Sequence, residues 1–212
     1  APLAGAGKDI LCVSFSSGLS TTYQSDCISD HEVQETYPDC KVLVVDSRAA
    51  SLGHGLLVYL TVQDKRRGRT LEEVRDFVEQ KKDHICHWFT VDDLNHLKRG
   101  GRVSAAAALF GTMLQMKPVL HVDGEGHLIP VDKVRGRRAS VNALLQKMDE
   151  LVEDPSVVFI SHGDCEAEAV ALGEAIKAKY PVERLESNYV GPVIGNHSGP
   201  GTLALFFQGK HK

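Results

Sequence analysis

The sequence predicts an α/β protein with two lobes, a first lobe built on a parallel βαβ unit and a second lobe with a mixed sheet. Three observations carry this prediction. An apolar strand, a helix and a second apolar strand follow one another within residues 10–45. The turn Asp-Gly-Glu-Gly at residues 123–126 separates two strand-like segments, which is typical of a hairpin. Helices and strands then alternate to the end of the chain.

The first lobe begins with the βαβ unit. Ile10 to Phe15 is the first predicted strand and Lys41 to Val45 the second, with a helix between them that ends near Tyr37. Strands joined in this way pair in parallel. Because ligands bind at the carboxyl ends of parallel strands, we expect the binding groups in the loops Ser16–Ser20 and Asp46–Arg48.

Two further helices complete the first lobe. One is predicted over Leu52–Gln63, and the next begins after Thr70, where Glu73 completes a capping box. Shorter elements follow, which predicts a domain boundary near residue 80. We expect residues 1–80 to form an N-terminal α/β lobe and residues 81–212 a C-terminal α/β lobe that contains the pocket.

The second lobe contains a predicted helix that is apolar on every side, Ser104–Gln115. Such a helix is buried, and its small residues either leave a channel or simply pack in the core. The other predicted elements are the strand Ile85–Val91, a short helix that ends at Gly100, the hairpin strands Lys117–Val122 and His127–Val134, the helices Ala139–Val152 and Glu166–Lys179, and the strands Val157–Ile160, Val182–Glu186 and Leu203–Phe207.

The composition argues against several classes of protein. The chain has 24 basic and 28 acidic side chains and a net charge of −4, which argues against nucleic-acid binding through a broad basic field. No apolar stretch approaches the ~20 residues that span a bilayer, and residues 1–7 lack the features of a signal peptide. We therefore expect a cytoplasmic protein.

The cysteines favour a reduced compartment, because all five are widely spaced and their number is odd. His84, Cys86 and His87 lie close together in the sequence, but no second cluster completes a tetrahedral set of ligands. We expect neither a metal site nor a cofactor.

Polar residues beside two turns are candidate anion ligands. Ser16, Ser17 and Ser20 lie where a strand leads into a helix, so hydroxyls and free backbone N–H groups meet at the positive end of a helix dipole. Alternatively, Ser17 or Ser20 only caps the helix. Arg102 follows two glycines and suits bidentate binding of a carboxylate, and it also fits a solvated helix end.

A second candidate site lies in the segment Gly195–Gly201. Its three glycines and one proline predict a rigid loop that presents His197 and Ser198 to a small polar group. The alternative is that His197 is a satisfied core imidazole. His162 and Asp164 form a further candidate, and Asp164 alternatively caps the next helix.

A basic cluster, Val134–Arg138, follows the hairpin. Its side chains form either a solvated edge or a docking patch for an acidic partner, where charge would set the rate and register of encounter.

Several segments resemble the DegV family and occur in the family's order. They are Ser16–Ser25, Leu97–Ser104, Lys117–Leu120, Lys133–Gly136 and Gly195–Gly201. The resemblance implies a two-lobed fold that binds a long-chain fatty acid and acts as the carrier subunit of a bacterial fatty acid kinase. It also implies residue roles. Ser16 or Ser17 would bind the carboxylate with Arg102 and His197 nearby, and Arg135 would face the kinase. The remaining assignments are Ser20 and Ser198 as ligand-binding residues and Ala106, Leu109, Phe110, Met113 and Leu114 as the acyl pocket.

The sequence departs from the family at its start. Members carry about 75 further N-terminal residues, including a Thr-Ser-x-Pro-Ser-like loop whose threonine binds the carboxylate. Here the first strand begins almost at once, without an initiator Met. We expect a truncated first lobe, with a pocket that is incomplete or completed by a separate piece.

The predicted function is that of a monomeric carrier without enzymatic activity, whose partners are a fatty acid and a kinase catalytic subunit. Two alternatives come from other classes. One is a phosphotransferase-like subunit with a phosphohistidine at His197 or His162, and the other is a regulatory module that binds only protein through Arg135–Arg138.

Overall fold

The computed structural model describes residues 1–103 and 115–212, which form two sheets and their covering helices. The helices are α1 (Pro2–Gly5), α2 (Thr22–Thr36), α3 (Ser51–Lys65), α4 (Leu71–Lys81), α5 (Asn95–Arg99), α6 (Arg137–Leu151), α7 (Glu166–Lys179) and α8 (Pro192–Ser198). The strands are β1 (Ile10–Ser14), β2 (Val42–Asp46), β3 (Ile85–Thr90), β4 (Met116–Val122), β5 (Leu128–Arg135), β6 (Val152–His162), β7 (Arg184–Tyr189) and β8 (Leu203–Gly209).

The first sheet is the predicted parallel βαβ unit. β1 and β2 pair in parallel, with Ile10 opposite Val42 and Ser14 opposite Asp46, and α2 connects them. The capping box of α4 is also confirmed: the Thr70 side chain accepts from the backbone N–H of Glu73, whose carboxylate accepts from the backbone N–H of Thr70.

The second sheet has six strands in the order β5-β4-β3-β8-β6-β7. Its neighbouring strands are antiparallel except for β6 and β7, which pair in parallel, so the predicted mixed sheet is confirmed. β4 and β5 form the predicted hairpin, with Val122 opposite Leu128.

Apolar side chains cover both faces of the six-stranded sheet. α6 and α7 pack on one face around buried residues that include Leu144 and Ile160. On the other face, Leu56 and Leu57 of α3 join Phe206 of β8 in a single core. The first 80 residues therefore share a core with the larger sheet, and the division near residue 80 stays a prediction.

Two local predictions are wrong. The segment Gly195–Gly201 is not a loop throughout, because α8 extends to Ser198. Pro192 lies in the first turn of that helix, where a backbone N–H has no partner within the helix, so its missing N–H loses no hydrogen bond. Gly199 ends the helix with a φ of +79°. The turn after β1 does not place Ser16 and Ser17 at a helix N-terminus, because α2 begins only at Thr22.

The predicted apolar helix Ser104–Gln115 falls almost entirely outside the described residues. The acyl-pocket predictions Ala106, Leu109, Phe110, Met113 and Leu114 lie there too. In the described ranges, the helices are too short or too polar to cross a bilayer.

Candidate functional site

A cavity of about 400 Å³ lies between the turn after β1, the start of α3, the larger sheet and α8. Phe89 of β3 and Phe206 of β8 face it from the sheet, and the segment Val190–Ile194 borders it at the start of α8. Pockets for small organic ligands have volumes of roughly 300–1,000 Å³. The cavity therefore has the size of a ligand site.

The walls of this cavity are largely apolar. Apolar wall residues include Phe15, Leu19, Phe89, Leu97, Val122 and Phe206. They come from the turn after β1, from β3, β4 and β8 of the larger sheet, and from α5. An apolar chain placed here would lose contact with water along its length, which is favourable by about 0.8 kcal/mol per buried methylene.

Several polar side chains lie close together where the turn after α5 contacts α8 at the cavity wall. Arg102 lines the cavity, and its guanidinium donates to the carbonyls of Leu19 at 3.2 Å and Gly100 at 2.6 Å. A Cβ at Gly100 would lie 2.2 Å from Nδ1 of His197, so this glycine allows the imidazole to approach the turn. Ser20, His197 and Ser198 also line the cavity, so four of the six predicted ligand-binding residues border it.

Ser198 is the most informative of these polar residues. Its side chain is only 4% exposed, it lines the cavity, and its Oγ has no hydrogen-bond partner in the described ranges 1–103 and 115–212. A buried polar group left unpaired costs about 1–3 kcal/mol. A ligand oxygen that accepted from this hydroxyl would recover that cost.

Ser16 and Ser17 are held by protein partners instead. The Ser16 hydroxyl donates to the carbonyl of Gly126 at 2.9 Å, and Ser17 donates to Asp46 through both its N–H and its hydroxyl. The residues that line the cavity include Ser20 but neither of these two. Their role as carboxylate ligands stays a prediction. In the structure both side chains hold the turn after β1 in place through these hydrogen bonds.

Ser20 lies just before Thr21, the N-cap of α2, and hydrogen-bonds to the first residue of the helix. Its Oγ accepts from the N–H of Thr22 at 3.2 Å and lies 2.8 Å from the Thr22 hydroxyl. The same side chain lines the cavity, so this local contact is compatible with a role in ligand binding.

A second set of polar residues lines the cavity among the apolar side chains. The hydroxyls of Ser51 and Ser161 are 2.9 Å apart, and both residues line the cavity together with His87. Burial lowers the pKa of His87 to about 3, so its ring is neutral. Nδ1 lies 2.8 Å from the carbonyl of Ile85, which identifies Nδ1 as the protonated nitrogen.

The basic cluster divides into exposed and paired side chains. Arg135 is exposed at the end of β5, as a docking residue would be. Arg137 is half-buried and forms a bidentate pair with Glu168, with its Nε 2.9 Å and its Nη2 2.6 Å from Oε2. Arg137 is therefore used in tying α6 to α7.

His162 is not among the residues that line the cavity, although its neighbour Ser161 is. His162 is buried, and its ring packs on Tyr189 with centroids 4.4 Å apart. Asp164 has a φ of +56° and precedes α7 without capping it through its side chain.

Sequence reasoning missed Ser51, His87, Ser161 and the segment Val190–Ile194. The available signal was a polar residue inside an apolar strand, as at His87 and Ser161. A polar residue in a strand does not show which face of the sheet lines a cavity, because that face is decided by the packing of α3.

Comparison with known proteins identifies the family. The model of the DegV family, whose members are described as uncharacterised proteins, matches residues 1–210. A DegV domain-containing protein of Clostridium perfringens is 46% identical over 208 residues, which are 97% of this chain and 72% of that protein.

Solved structures agree with this assignment. A DegV family protein of Thermus thermophilus, described by its fatty acid binding, is 31% identical with a TM-score of 0.81, covering 94% of this chain and 71% of that one. The Fatty Acid Kinase (Fak) B3 protein of Streptococcus pneumoniae, solved with linoleic acid, has a TM-score of 0.87 at 21% identity, covering 94% and 71%. The second likeness shows the fold alone. The two-lobed α/β fold, the sequence motifs and these matches lead to one conclusion: the chain belongs to the DegV family.

Proposed function

We propose that this protein binds a long-chain fatty acid in the cavity and presents the carboxylate to the catalytic subunit of a fatty acid kinase. The observation that carries the proposal is the unpaired, buried hydroxyl of Ser198 in the wall of a largely apolar cavity. A carboxylate would accept from it, with Arg102 and His197 beside it as further donors. The fatty acid binding described for the Thermus thermophilus relative supports the same ligand class.

The energetics favour an amphipathic ligand. Burial of ~14 methylenes contributes roughly 11 kcal/mol before the costs of association and ordering. A buried carboxylate without donors would cost several kcal/mol. Hydrogen-bond donors for the carboxylate are therefore needed for the buried acyl chain to give a net favourable binding free energy.

In the proposed division of labour, this chain is a carrier and the partner performs the phosphoryl transfer. Arg135 is exposed and would contact the acidic surface of the kinase. We propose that the carrier acts as a monomer in the bacterial cytoplasm. All five cysteines are free thiols, which supports a reducing compartment.

Ligand identity is tested by extracting the purified protein under denaturing conditions and identifying bound lipid by mass spectrometry. We expect about one fatty acid per chain. Arg102→Ala and Ser198→Ala should each lower the occupancy several-fold, and Ser198→Ala should not destabilise the empty protein, since its hydroxyl is unpaired there. Arg138→Ala is the control, because Arg138 is exposed and lies outside the cavity. Absence of fatty acid in the wild-type protein would contradict the proposal.

Partner docking is tested with a purified kinase catalytic subunit, ATP and the lipid-loaded carrier. We expect Arg135→Ala to slow acyl phosphate formation about tenfold while lipid occupancy stays normal, because a lost rim charge acts mainly on encounter. Arg66→Ala, an exposed arginine beyond the end of α3, is the matched control. An equal rate for Arg135→Ala and wild type would remove Arg135 from the interface.

A further inference from the structure

The serine pair, Ser51 and Ser161, has hydrogen-bonding capacity that the protein does not use. Each of the two hydroxyls can donate one hydrogen bond. The 2.9 Å hydrogen bond between them uses one of these two donors, so the pair itself leaves the other donor free. In the described parts of the chain no other hydrogen bond involves either hydroxyl. Ser161 is fully buried and Ser51 half-buried, so one donor and several lone pairs remain at the cavity wall.

His87 packs against the start of α3 beside Ser51, and both of its ring nitrogens have partners within the protein. Its Nδ1 bonds to the carbonyl of Ile85, which leaves Nε2 with a lone pair. The partner of Nε2 is the N–H of Ala50 at 3.4 Å, a long contact. A Cβ at Gly53 would lie 2.1 Å from Nε2, so the glycine in the first turn of α3 leaves room for this ring.

Strand geometry places these groups away from Ser198. Ser161 is opposite Ala204 on β8, and His87 is opposite Phe206. With a rise of ~3.3 Å per residue, these positions lie about 7 and about 13 Å along the strand from Thr202, next to which α8 ends. Carbon–carbon bonds of ~1.5 Å then place the serine pair at least about five bonds beyond a carboxylate bound at Ser198.

An unbranched saturated chain would leave the serine pair facing methylenes. Hydrogen-bonding groups without protein partners in an apolar wall are how a site recognises one hydroxyl group on its ligand. We propose that the cavity prefers a fatty acid that carries a hydroxyl group part-way along its acyl chain, recognised by Ser51 and Ser161. This inference rests on the proposed function and specifies the substrate class of the same cavity.

The test compares three ligands by isothermal titration of delipidated wild-type protein. They are octadecanoic acid, 10-hydroxyoctadecanoic acid and 2-hydroxyoctadecanoic acid, the last being a control whose hydroxyl stays near the carboxylate. We expect the 10-hydroxy acid to bind about fivefold more tightly than octadecanoic acid, the gain typical of one or two net hydrogen bonds. The 2-hydroxy acid should show no such gain.

Variants locate the effect. Ser51→Ala combined with Ser161→Ala should abolish the preference, so that the double variant binds octadecanoic acid and 10-hydroxyoctadecanoic acid equally tightly. Ser140→Ala removes another fully buried serine, on α6 and outside the cavity, and should keep the preference.

The outcomes separate the two proposals. Equal affinity of wild type for octadecanoic and 10-hydroxyoctadecanoic acid would overturn this inference and leave the proposed function standing; a water held by the serine pair would give that result. Persistence of the preference in the double variant would overturn the assignment to these serines. Failure of all three acids to bind would overturn both proposals.

Discussion

At the scale of single residues, burial decides which polar groups shape the protein. His87 is neutral in the folded state because burial lowers its pKa from 6.5 to about 3. Between these values the unfolded chain binds more protons than the folded one, so stability rises with pH and is lost as the pH falls. We expect the free energy of unfolding to fall below pH 6.5 by up to ~1.4 kcal/mol per pH unit from this group.

The measurement is urea unfolding at a series of pH values between 7 and 4. His87→Asn retains a donor for the carbonyl of Ile85 but does not titrate, so its stability should depend less steeply on pH. Burial also lowers the pKa of His121, so some slope of the same sign remains in the variant. Parallel pH profiles for wild type and variant would show that His87 does not govern this dependence.

At the scale of elements, the end of α8 positions the polar groups of the cavity. Gly199 terminates the helix with a φ of +79°, and a Cβ there would lie 2.6 Å from the ring of His96. We expect Gly199→Ala to cost more than the ~1–3 kcal/mol of this glycine-only backbone conformation alone and to lower fatty acid occupancy, because His197 and Ser198 form the last turn.

Gly191, at the other end of α8, is the matched control for this change. It has a φ of −60°, and a Cβ there would have no atom within 4 Å, so Gly191→Ala should cost about 1 kcal/mol or less, the difference between Gly and Ala at an N-cap. Urea unfolding compares the stability of the two variants, and lipid extraction measures the occupancy of Gly199→Ala against wild type. Equal stability of the two variants would mean that the turn at Gly199 relaxes without affecting α8.

At the scale of the whole molecule, the two sheets are joined by one core and by specific hydrogen bonds. Leu56 and Leu57 of α3 pack with Phe206 of the larger sheet, and Ser16 donates to Gly126 in the hairpin turn. We therefore expect one cooperative unfolding transition. The fluorescence of Trp88, the single tryptophan, and far-ultraviolet circular dichroism should give coincident curves.

Leu56→Ala tests the shared core directly. The side chain is fully buried, so the variant should lose about 2–5 kcal/mol and shift both signals together. Leu3→Ala, at a side chain that is 54% exposed, should shift neither by a comparable amount. Separate transitions would instead support two lobes that unfold independently, with a boundary near residue 80.

Local chemistry explains why much of the fold was predictable. Hydrophobic periodicity identified the strands of the βαβ unit, the turn at residues 123–126 identified the hairpin, and Thr70 with Glu73 identified the start of α4. α7 was predicted with its observed bounds, Glu166–Lys179. Each of these signals lies within a few residues of the structure that it specifies.

Glycine and proline were less decisive in the segment Gly195–Gly201. The same composition suits a rigid loop and a short helix with a proline start and a glycine end, and packing against α5 favours the helix. Ser16 and Ser17 were chosen for their chemistry, but the partner of Ser16 lies 110 residues away in the hairpin turn. No local pattern reports such a contact.

The sequence by itself determined the α/β class, the parallel pairing of β1 with β2, the hairpin of β4 and β5, and the motifs by which the family is recognised, because these depend on local propensity and on short ordered segments. Tertiary structure alone decided which side chains share the cavity. Ser51, His87, Ser161 and Ser198 are brought together from α3, β3, β6 and α8 by the packing of one core. Whether a serine is a partnered structural donor, as Ser16 is, or an unpaired donor that faces a ligand site, as Ser198 is, depends on neighbours distant in the chain.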